Sequence, residues 1–318
     1  MKNNLGNQLK KVFRSQASIL FLFLLILSTG VGIAAPRFAR ISNIAVITRA
    51  AAFVGMVSLG QMVCLIAGLI DLSVGSTAGF AGIVGAMIIK DFGLNPYLAI
   101  IIAIITGAII GIVNGFFVSK VDLNPFITTL STSFVLSGLI LVVTSGSPVP
   151  FVSDIEWLGK GSLGPVPIPT LIAAIVAILL HIFLTKTIMG RYIFAVGGNK
   201  DAAILVGVPY ARVTMVAYSI SGGLSALAGV LLMARLASGQ PTVGVSWQMP
   251  SFAAPILGGA ALSGGEGSAF GTLVGALLMA VISNSIVLTG MSIYWENVIV
   301  GVVLISAIII DKYSRKKR

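Results

Sequence analysis

The chain has 318 residues, of which 57% are hydrophobic and only 9% are charged. Its mean hydropathy is +1.07, whereas about 25% of the residues in an average soluble domain are charged. This composition excludes a soluble globular protein and predicts an all-α, polytopic membrane helix bundle. The formal net charge is +11, but the basic residues gather at the ends of apolar segments. We therefore expect them to face lipid headgroups, and we expect no nucleic-acid partner.

Polar interruptions divide the chain into about ten transmembrane helices. The first apolar run resembles a signal peptide, but we interpret it as a membrane helix because it is longer than a signal core. The eighth segment is too short to cross a bilayer alone and contains prolines, so we expect a broken helix there. The predicted spans are 17–35, 44–66, 74–89, 97–119, 126–144, 170–185, 213–234, 250–262, 270–289 and 293–310.

The basic residues predict the orientation of these spans. Ten crossings place both termini on one side of the membrane, and most of the 20 Lys and Arg residues then lie on that side. The positive-inside rule makes it the cytoplasm, so the prediction is N-in and C-in. We expect one transmembrane domain over 1–318, with a cytoplasmic tail at 1–16, a large outer loop at 145–169, a cytoplasmic loop at 186–212 and a basic cytoplasmic tail at 311–318.

The segment 186–212 is the longest charged interruption away from the termini. Its centre, 201–207, is typical of one or two helical turns that end at Gly207 and Pro209. A short amphipathic helix at the cytoplasmic face suits docking to a partner protein, and an ordinary hydrophilic connector is the alternative. The apolar residues that we expect to contact such a partner are Ala202, Ala203, Leu205 and Val206.

Two breaks rich in glycine and serine, 68–76 and 257–268, resemble each other. Both contain Leu-Ser followed closely by Gly-Ser, and both carry one acidic residue, as in a weak internal repeat between two halves of a transporter. In the first break, Asp71 and Ser73 can cap the helix that begins near Val74, because their oxygens can accept free N–H groups. Solute contact is the alternative role for Asp71.

The polar side chains inside the predicted spans are few and neutral. They suit an uncharged, polyhydroxylated solute, since a proton- or sodium-driven carrier more often has acidic residues in mid-span. Hydrogen bonds between helices explain each of them equally well. These residues are Gln61, Asn114, Ser131, Ser133, Ser219, Ser221, Ser225, Ser283, Asn284 and Ser285.

The sequence has no G-x-x-x-x-G-K-[ST] motif, so nucleotide hydrolysis would take place on another chain. The lone Cys64 predicts neither a disulfide nor a metal site.

Five motifs resemble the ribose-type permeases of ABC importers. They are I-D-L-S-V-G-S at 70–76, N-G-F-F-V at 114–118, P-F-I-T-T-L at 125–130, G-R-Y-I-F-A-V-G-G-N at 190–199 and L-G-G-A-A-L-S-G-G at 257–265. The resemblance extends along nearly the whole chain. It implies a fold like that of type II importer permeases and no catalytic chemistry on this chain. It also implies a multi-pass protein of the bacterial inner or plasma membrane that imports ribose or a related monosaccharide.

The resemblance also implies partners and functional positions. Such a permease works as a homo- or heterodimer with cytoplasmic ABC ATPase subunits, which hold the ATP and magnesium, and with a periplasmic or lipid-anchored sugar-binding protein. No cofactor or metal is expected on this chain. The positions that match the ATPase-coupling loop are Arg191, Gly197, Gly198, Asn199, Asp201, Ala202, Ala203, Leu205 and Gly207. Those that match family motifs and a possible solute path are Asp71, Ser73, Gly75, Ser76, Asn114 and Asn284.

Several positions depart from the family's usual pattern, so the sugar itself stays open. Leu69 replaces a glycine, Glu266 replaces a basic residue, 283–285 replaces Asn-Asn-Gly, and 249–255 carries prolines. The alternatives are a branched-chain amino-acid permease of the same superfamily, a stand-alone secondary carrier and an intramembrane enzyme. The shortage of mid-span charge counts against the first, and a carrier has no need of a docking loop. The sequence shows no His, Cys or acid-pair constellation for the enzyme.

Overall fold

The computed structural model describes residues 16–292 and 294–315. Thirteen α-helices form most of this described chain. In chain order they are α1 (Gln16–Ala34), α2 (Ile41–Ile66), α3 (Val74–Phe92), α4 (Pro96–Lys120), α5 (Pro125–Thr144), α6 (Glu156–Lys160), α7 (Ile168–Lys186), α8 (Ile188–Gly198), α9 (Lys200–Leu205), α10 (Tyr210–Leu236), α11 (Gln248–Leu257), α12 (Ala269–Leu288) and α13 (Trp295–Arg315).

Short elements occupy the connections between these helices. The 3-10 helices are Pro36–Ala39 and Val245–Trp247. Two small antiparallel sheets pair β1 (Val149–Pro150) with β4 (Ser238–Gly239) and β2 (Ser162–Leu163) with β3 (Val166–Pro167). All but β4 lie in the predicted outer loop, and β1 joins that loop to the end of α10.

Each predicted span coincides with a helix, but six helices of the described chain combine the length and apolarity of a membrane span. They are α2, α4, α5, α7, α10 and α12, while α1 and α13 contain shorter apolar stretches. The chain is therefore a polytopic helical membrane protein. The predicted tail 1–16 lies almost wholly outside the described residues, and α13 extends to Arg315, into the segment predicted as a C-terminal tail.

The connections collect at two opposite ends of the bundle, which we call the α6 end and the α9 end. At the α6 end, the Arg49 guanidinium near the start of α2 donates a hydrogen bond to the Lys160 carbonyl over 3.0 Å. At the α9 end, the Gly265 N–H donates to the carbonyl of Ile66, the last residue of α2, over 2.8 Å. Arg49 and Ile66 are 17 residues apart in α2, so these two contacts are separated by about 26 Å along the helix.

Glycine allows α4 to lie directly on α10. A Cβ on Gly107 would stand 2.5 Å from the Gly222 carbonyl oxygen, and one on Gly111 would stand 2.0 Å from the Tyr218 carbonyl oxygen. A larger residue therefore fits at neither place without moving a helix. Because lipid gives helices no hydrophobic drive to associate, close packing of this kind holds them together. Gly115 continues the contact, since a Cβ there would stand 2.5 Å from the Met215 Cα.

Two non-helical stretches meet inside the bundle. The first, 67–73, joins α2 to α3, and the second, 240–244, leads from β4 towards α11. Gly75, just after the first stretch, and Gly244, the last residue of the second, touch through the backbone, since a Cβ on Gly75 would stand 2.3 Å from the Gly244 carbonyl oxygen. Beyond this contact, α11 has ten residues with Pro255 inside it, which confirms the predicted broken eighth segment.

Candidate functional site

The break at 67–73 is organised by Asp71, whose side chain is 1% exposed. Its Oδ1 accepts hydrogen bonds from the Ser73 N–H (2.9 Å) and the Ser73 hydroxyl (2.6 Å), and its Oδ2 accepts one from the Ser221 hydroxyl on α10 (2.7 Å). A buried carboxylate is tolerated where such donors replace water. Asp71 thus holds the start of α3 as expected, whereas Ser73, the second expected cap, forms no side-chain cap hydrogen bond.

The same hydrogen bonds continue into α4 and α5. The Asn114 side-chain amide donates to Ser73 Oγ over 3.0 Å, and the Thr132 hydroxyl donates to Asn114 Oδ1 over 2.6 Å. We call this set the Asp71 network, and it consists of Asp71, Ser73, Asn114, Thr132 and Ser221. It ties α3, α4, α5 and α10 together around the break, and satisfied buried networks of this kind fix one arrangement of the chain.

The remaining motif residues fall into two places. Gly75 and Ser76 lie in the first turn of α3, where the Ser76 hydroxyl donates to the Ser73 carbonyl over 3.0 Å. Asn284 does not join them. It exchanges two 3.0 Å hydrogen bonds with Asn43 and so connects α12 to α2. In this arrangement Asn284 is a contact between helices.

The predicted coupling loop folds into α8 and α9. Asn199 caps α9, because its Oδ1 accepts a hydrogen bond from the Ala202 N–H over 2.9 Å. Gly207 has a φ of +87°, in the left-handed region that favours glycine, so the predicted helix end is confirmed. The Lys200 ammonium lies 4.3 Å from the centre of the Tyr210 ring, and this cation–π contact fastens α9 to the start of α10.

The end of α9 presents an apolar surface outside the bundle. Leu205 and Val206 are 87% and 81% exposed, and Ile204 is 44% exposed. Three consecutive exposed apolar residues on a capped helix are typical of a protein contact. Ala203 is only 4% exposed and packs into the core, which corrects the expectation that it contacts a partner. The other predicted coupling positions with exposed side chains are Arg191, Asn199, Asp201 and Ala202.

The corner between α8 and α9 lies against the end of α2, where the first break begins, and against the second break at 257–268. A Cβ on Gly197 would stand 1.7 Å from the Ile66 carbonyl oxygen and 2.7 Å from the Gly265 nitrogen. The next residue, Gly198, has open space for a Cβ. We call the contact of Ile66, Gly197 and Gly265 the glycine seam. Its backbones touch with no side chain between them, and closely packed protein transmits displacement.

Several hydrogen-bond partners of the first break were not predicted from the sequence. The Gln248 side-chain amide donates to the Leu72 carbonyl over 3.2 Å, and the Leu72 N–H donates to the Thr129 hydroxyl over 3.0 Å. The motif at 125–130 was an available signal for Thr129. Threonine in a helix commonly bonds to the preceding turn, so nothing in the sequence marked Thr132 as a partner of the network.

Comparison with known proteins identifies the family. The family described as "Branched-chain amino acid transport system / permease component" matches residues 43–308. The chain belongs to this family. It is similar to the ribose import permease RbsC of Bacillus subtilis (strain 168), with 38% identity over 296 residues that cover 92% of this chain and 91% of the relative.

Two further relatives support the assignment. The ribose import permease RbsC of Escherichia coli (strain K12) is 36% identical over 293 residues, 91% of each chain. The L-arabinose transport system permease AraH of the same strain is 32% identical over 284 residues, 89% of this chain and 86% of the relative. No solved structure matches the chain. The family makes this protein a membrane-embedded transport permease and confirms the resemblance based on its motifs.

Replacing Asp71 tests the network. Asp71→Ala removes the acceptor for three hydrogen bonds, and we expect it to lower the free energy of unfolding by about 1–3 kcal/mol, the cost of leaving buried donors unsatisfied. Asp71→Asn keeps an acceptor for Ser73 and a polar group beside Ser221, so we expect a much smaller loss. The measurement is the thermal unfolding midpoint of the purified permease in detergent. Equal midpoints for the two variants would contradict this role of the carboxylate.

Proposed function

We propose that this chain is the membrane-spanning subunit of an ATP-driven, binding-protein-dependent importer for a monosaccharide in a bacterial cell membrane. The solute class rests on the relatives, which are permeases for ribose and L-arabinose. The observation that carries the mechanism is the exposed apolar end of α9 beside the glycine seam. It provides a docking surface and a mechanical connection to the two breaks in one place.

In this mechanism α9 docks into a groove on a cytoplasmic ABC ATPase, where Leu205 and Val206 are buried as apolar anchors. The ATPase binds ATP and magnesium on its own chain and moves when the nucleotide binds. Because the glycine seam joins α8 to Ile66 and Gly265, displacement of α9 reaches both breaks. In many transporters, spans interrupted by irregular backbone form the solute site, and one part of the bundle moves against the other around it.

We further propose ten crossings, to which α1, α3, α11 and α13 contribute together with the six long apolar helices. Both termini and the α9 end then face the cytoplasm, and 1–318 acts as one permease domain. The positive-inside rule supports this orientation, because many basic residues lie at the α9 end. They include Lys120, Lys186, Arg191, Lys200 and Arg212.

The α6 end then faces outward, and a sugar-binding protein docks on the loop 145–169. A second permease subunit, identical or related, completes the pair of docking helices for two ATPase sites. Amino-acid import is the second candidate function, because the family's description refers to branched-chain amino acids. Uptake of labelled ribose, arabinose and leucine by the assembled importer decides between the two solute classes, and uptake of leucine alone would overturn the sugar proposal.

Charge at the exposed end of α9 tests the docking mechanism. We expect Leu205→Asp and Val206→Asp to reduce sugar uptake by about tenfold or more, because a carboxylate cannot be buried in an apolar groove without a partner. The matched control is Val121→Asp, another exposed apolar residue at the α9 end. Uptake and co-purification of the ATPase are measured for each variant. Full uptake and co-purification with both α9 variants would show that this loop is only a connector.

Single cysteines test the orientation. In a Cys64→Ala background, Ser162→Cys at the α6 end and Asn199→Cys at the α9 end provide two exposed thiols. We expect a membrane-impermeant thiol reagent added to intact cells to label the first only. Permeabilised cells serve as the control, in which both thiols are labelled. Labelling of both positions in intact cells would contradict the proposed ten crossings.

A further inference from the structure

A cavity of about 320 Å³ opens at the α6 end, where α2, α10, α12 and the starts of α11 and α13 converge. This volume lies within the range of about 300–1,000 Å³ that is typical of small-molecule sites. We call it the outer cavity. The aromatic, charged and hydroxyl side chains that line it are Phe53, Arg235, Ser246, Trp247, Ser283 and Glu296.

One wall of the outer cavity is aromatic. The rings of Phe53 and Trp247 stack with their centres 6.1 Å apart and their planes 7° apart. The Arg235 guanidinium stands over the Phe53 ring at 5.9 Å. Small-molecule sites commonly combine such an apolar wall with a few polar groups that orient the ligand.

The outer cavity also carries two opposite charges, Arg235 and Glu296. The Glu296 carboxylate accepts a hydrogen bond from the Ser283 hydroxyl. Arg235 and Glu296 line the same cavity, yet among the described residues no ion pair joins their side chains. A guanidinium offers only donors and a carboxylate only acceptors. A hydroxyl group both donates and accepts, so a neutral solute with several hydroxyls can bind both charged side chains at once.

A neighbouring cavity gives access to this site. It has a volume of about 430 Å³ and shares Ser246, Pro250, Glu296 and Val300 with the outer cavity. Tyr294 and Asn297 line it and are exposed at the α6 end. Glu296 therefore stands between the exposed neighbouring cavity and the aromatic wall of the outer cavity.

Polar groups also lead inward from the outer cavity along α2. Ala50 and Val54 line the cavity, and Ser58 and Gln61 follow Val54 on the same helical face, four and seven residues later. Both are fully buried, and the Ser58 hydroxyl and both polar atoms of the Gln61 amide lack hydrogen-bond partners. Unsatisfied buried groups are costly. The short, proline-containing α11 packs against α2, so its displacement would uncover this face.

We propose that the outer cavity is the first solute site inside this permease and that it takes a neutral, polyhydroxylated solute. The solute ring lies against the Phe53–Trp247 stack, Arg235 donates to its hydroxyl oxygens, and Glu296 accepts from its hydroxyl groups. When α11 moves, the solute exchanges these contacts for Ser58 and Gln61. The site deepens the proposed function and rests on it, because it assigns residues to the import of a sugar.

Neutralising each charge tests the site in the assembled importer, reconstituted with its ATPase and binding protein. We expect Glu296→Gln and Arg235→Gln to reduce the rate of sugar uptake by about tenfold, as for the loss of one hydrogen bond to a charged group. Stimulation of ATP hydrolysis by the loaded binding protein stays unchanged, because neither residue lies in the loop 145–169, where that protein docks, or at the α9 end. The matched control is Asp91→Asn, which removes an exposed carboxylate at the α6 end outside the cavity.

A labelling experiment tests occupancy without transport. In a Cys64→Ala background, ribose or arabinose should slow the reaction of Ser246→Cys with a thiol reagent, while leucine should not. Neither sugar should slow labelling of Ser162→Cys, an exposed position at the same end. Sugar protection of Ser246→Cys alone supports the site. Unaffected labelling, or equal protection of both cysteines, overturns it.

The outcomes separate this site from the proposed function. If the wild-type importer takes up sugar and the two charge variants behave like Asp91→Asn, the site is wrong while the function stands. If the wild-type importer takes up leucine and no monosaccharide, the proposed function fails, and the sugar class assigned to the site fails with it. Protection of Ser246→Cys by leucine would indicate that Arg235 and Glu296 bind the carboxylate and ammonium groups of an amino acid. This result would also overturn the proposal.

Discussion

Direct contact between backbones at glycine is the constraint on which this bundle depends. Lipid supplies no hydrophobic drive for helices to associate, so van der Waals packing at small residues must hold them together. The contact of α4 with α10, the contact of Gly75 with Gly244, and the glycine seam all place one backbone within reach of another. The same contacts that stabilise the bundle also connect its parts rigidly. A docked helix can therefore move a distant span without a flexible side chain between them.

The charged side chains inside this bundle have two different kinds of surroundings. The Asp71 carboxylate is fully supplied with donors and fixes the first break, so it behaves as a structural anchor in this arrangement. Arg235 and Glu296 share the outer cavity without pairing with each other and stay open to a ligand. The difference lies in the neighbours, since three donors surround Asp71, whereas Glu296 has one hydroxyl partner, Ser283, and both Arg235 and Glu296 line a cavity.

Much of this could be predicted from the sequence. Apolar runs located the helices, and Gly207 correctly marked the end of α9, because left-handed helix ends depend on local residue types. The cap formed by Asn199 was not predicted. The burial of Ala203 could not be predicted, since helix periodicity does not say which neighbour covers a short helix. For the same reason, the sequence could not show that Asn284 lies outside the Asp71 network. Its partner Asn43 is 241 positions away in the chain, and the outer cavity likewise joins five helices that no local pattern connects.

The central claim is that α9 drives the two breaks through the glycine seam. It is tested most directly by sugar uptake per assembled complex for Gly197→Ala and Gly198→Ala, two adjacent glycines of which only the first has no room for a Cβ. Both variants are reconstituted with the ATPase and the binding protein. The account predicts that Gly197→Ala still binds the ATPase but loses uptake, while Gly198→Ala keeps both. Equal uptake by the two variants would contradict it.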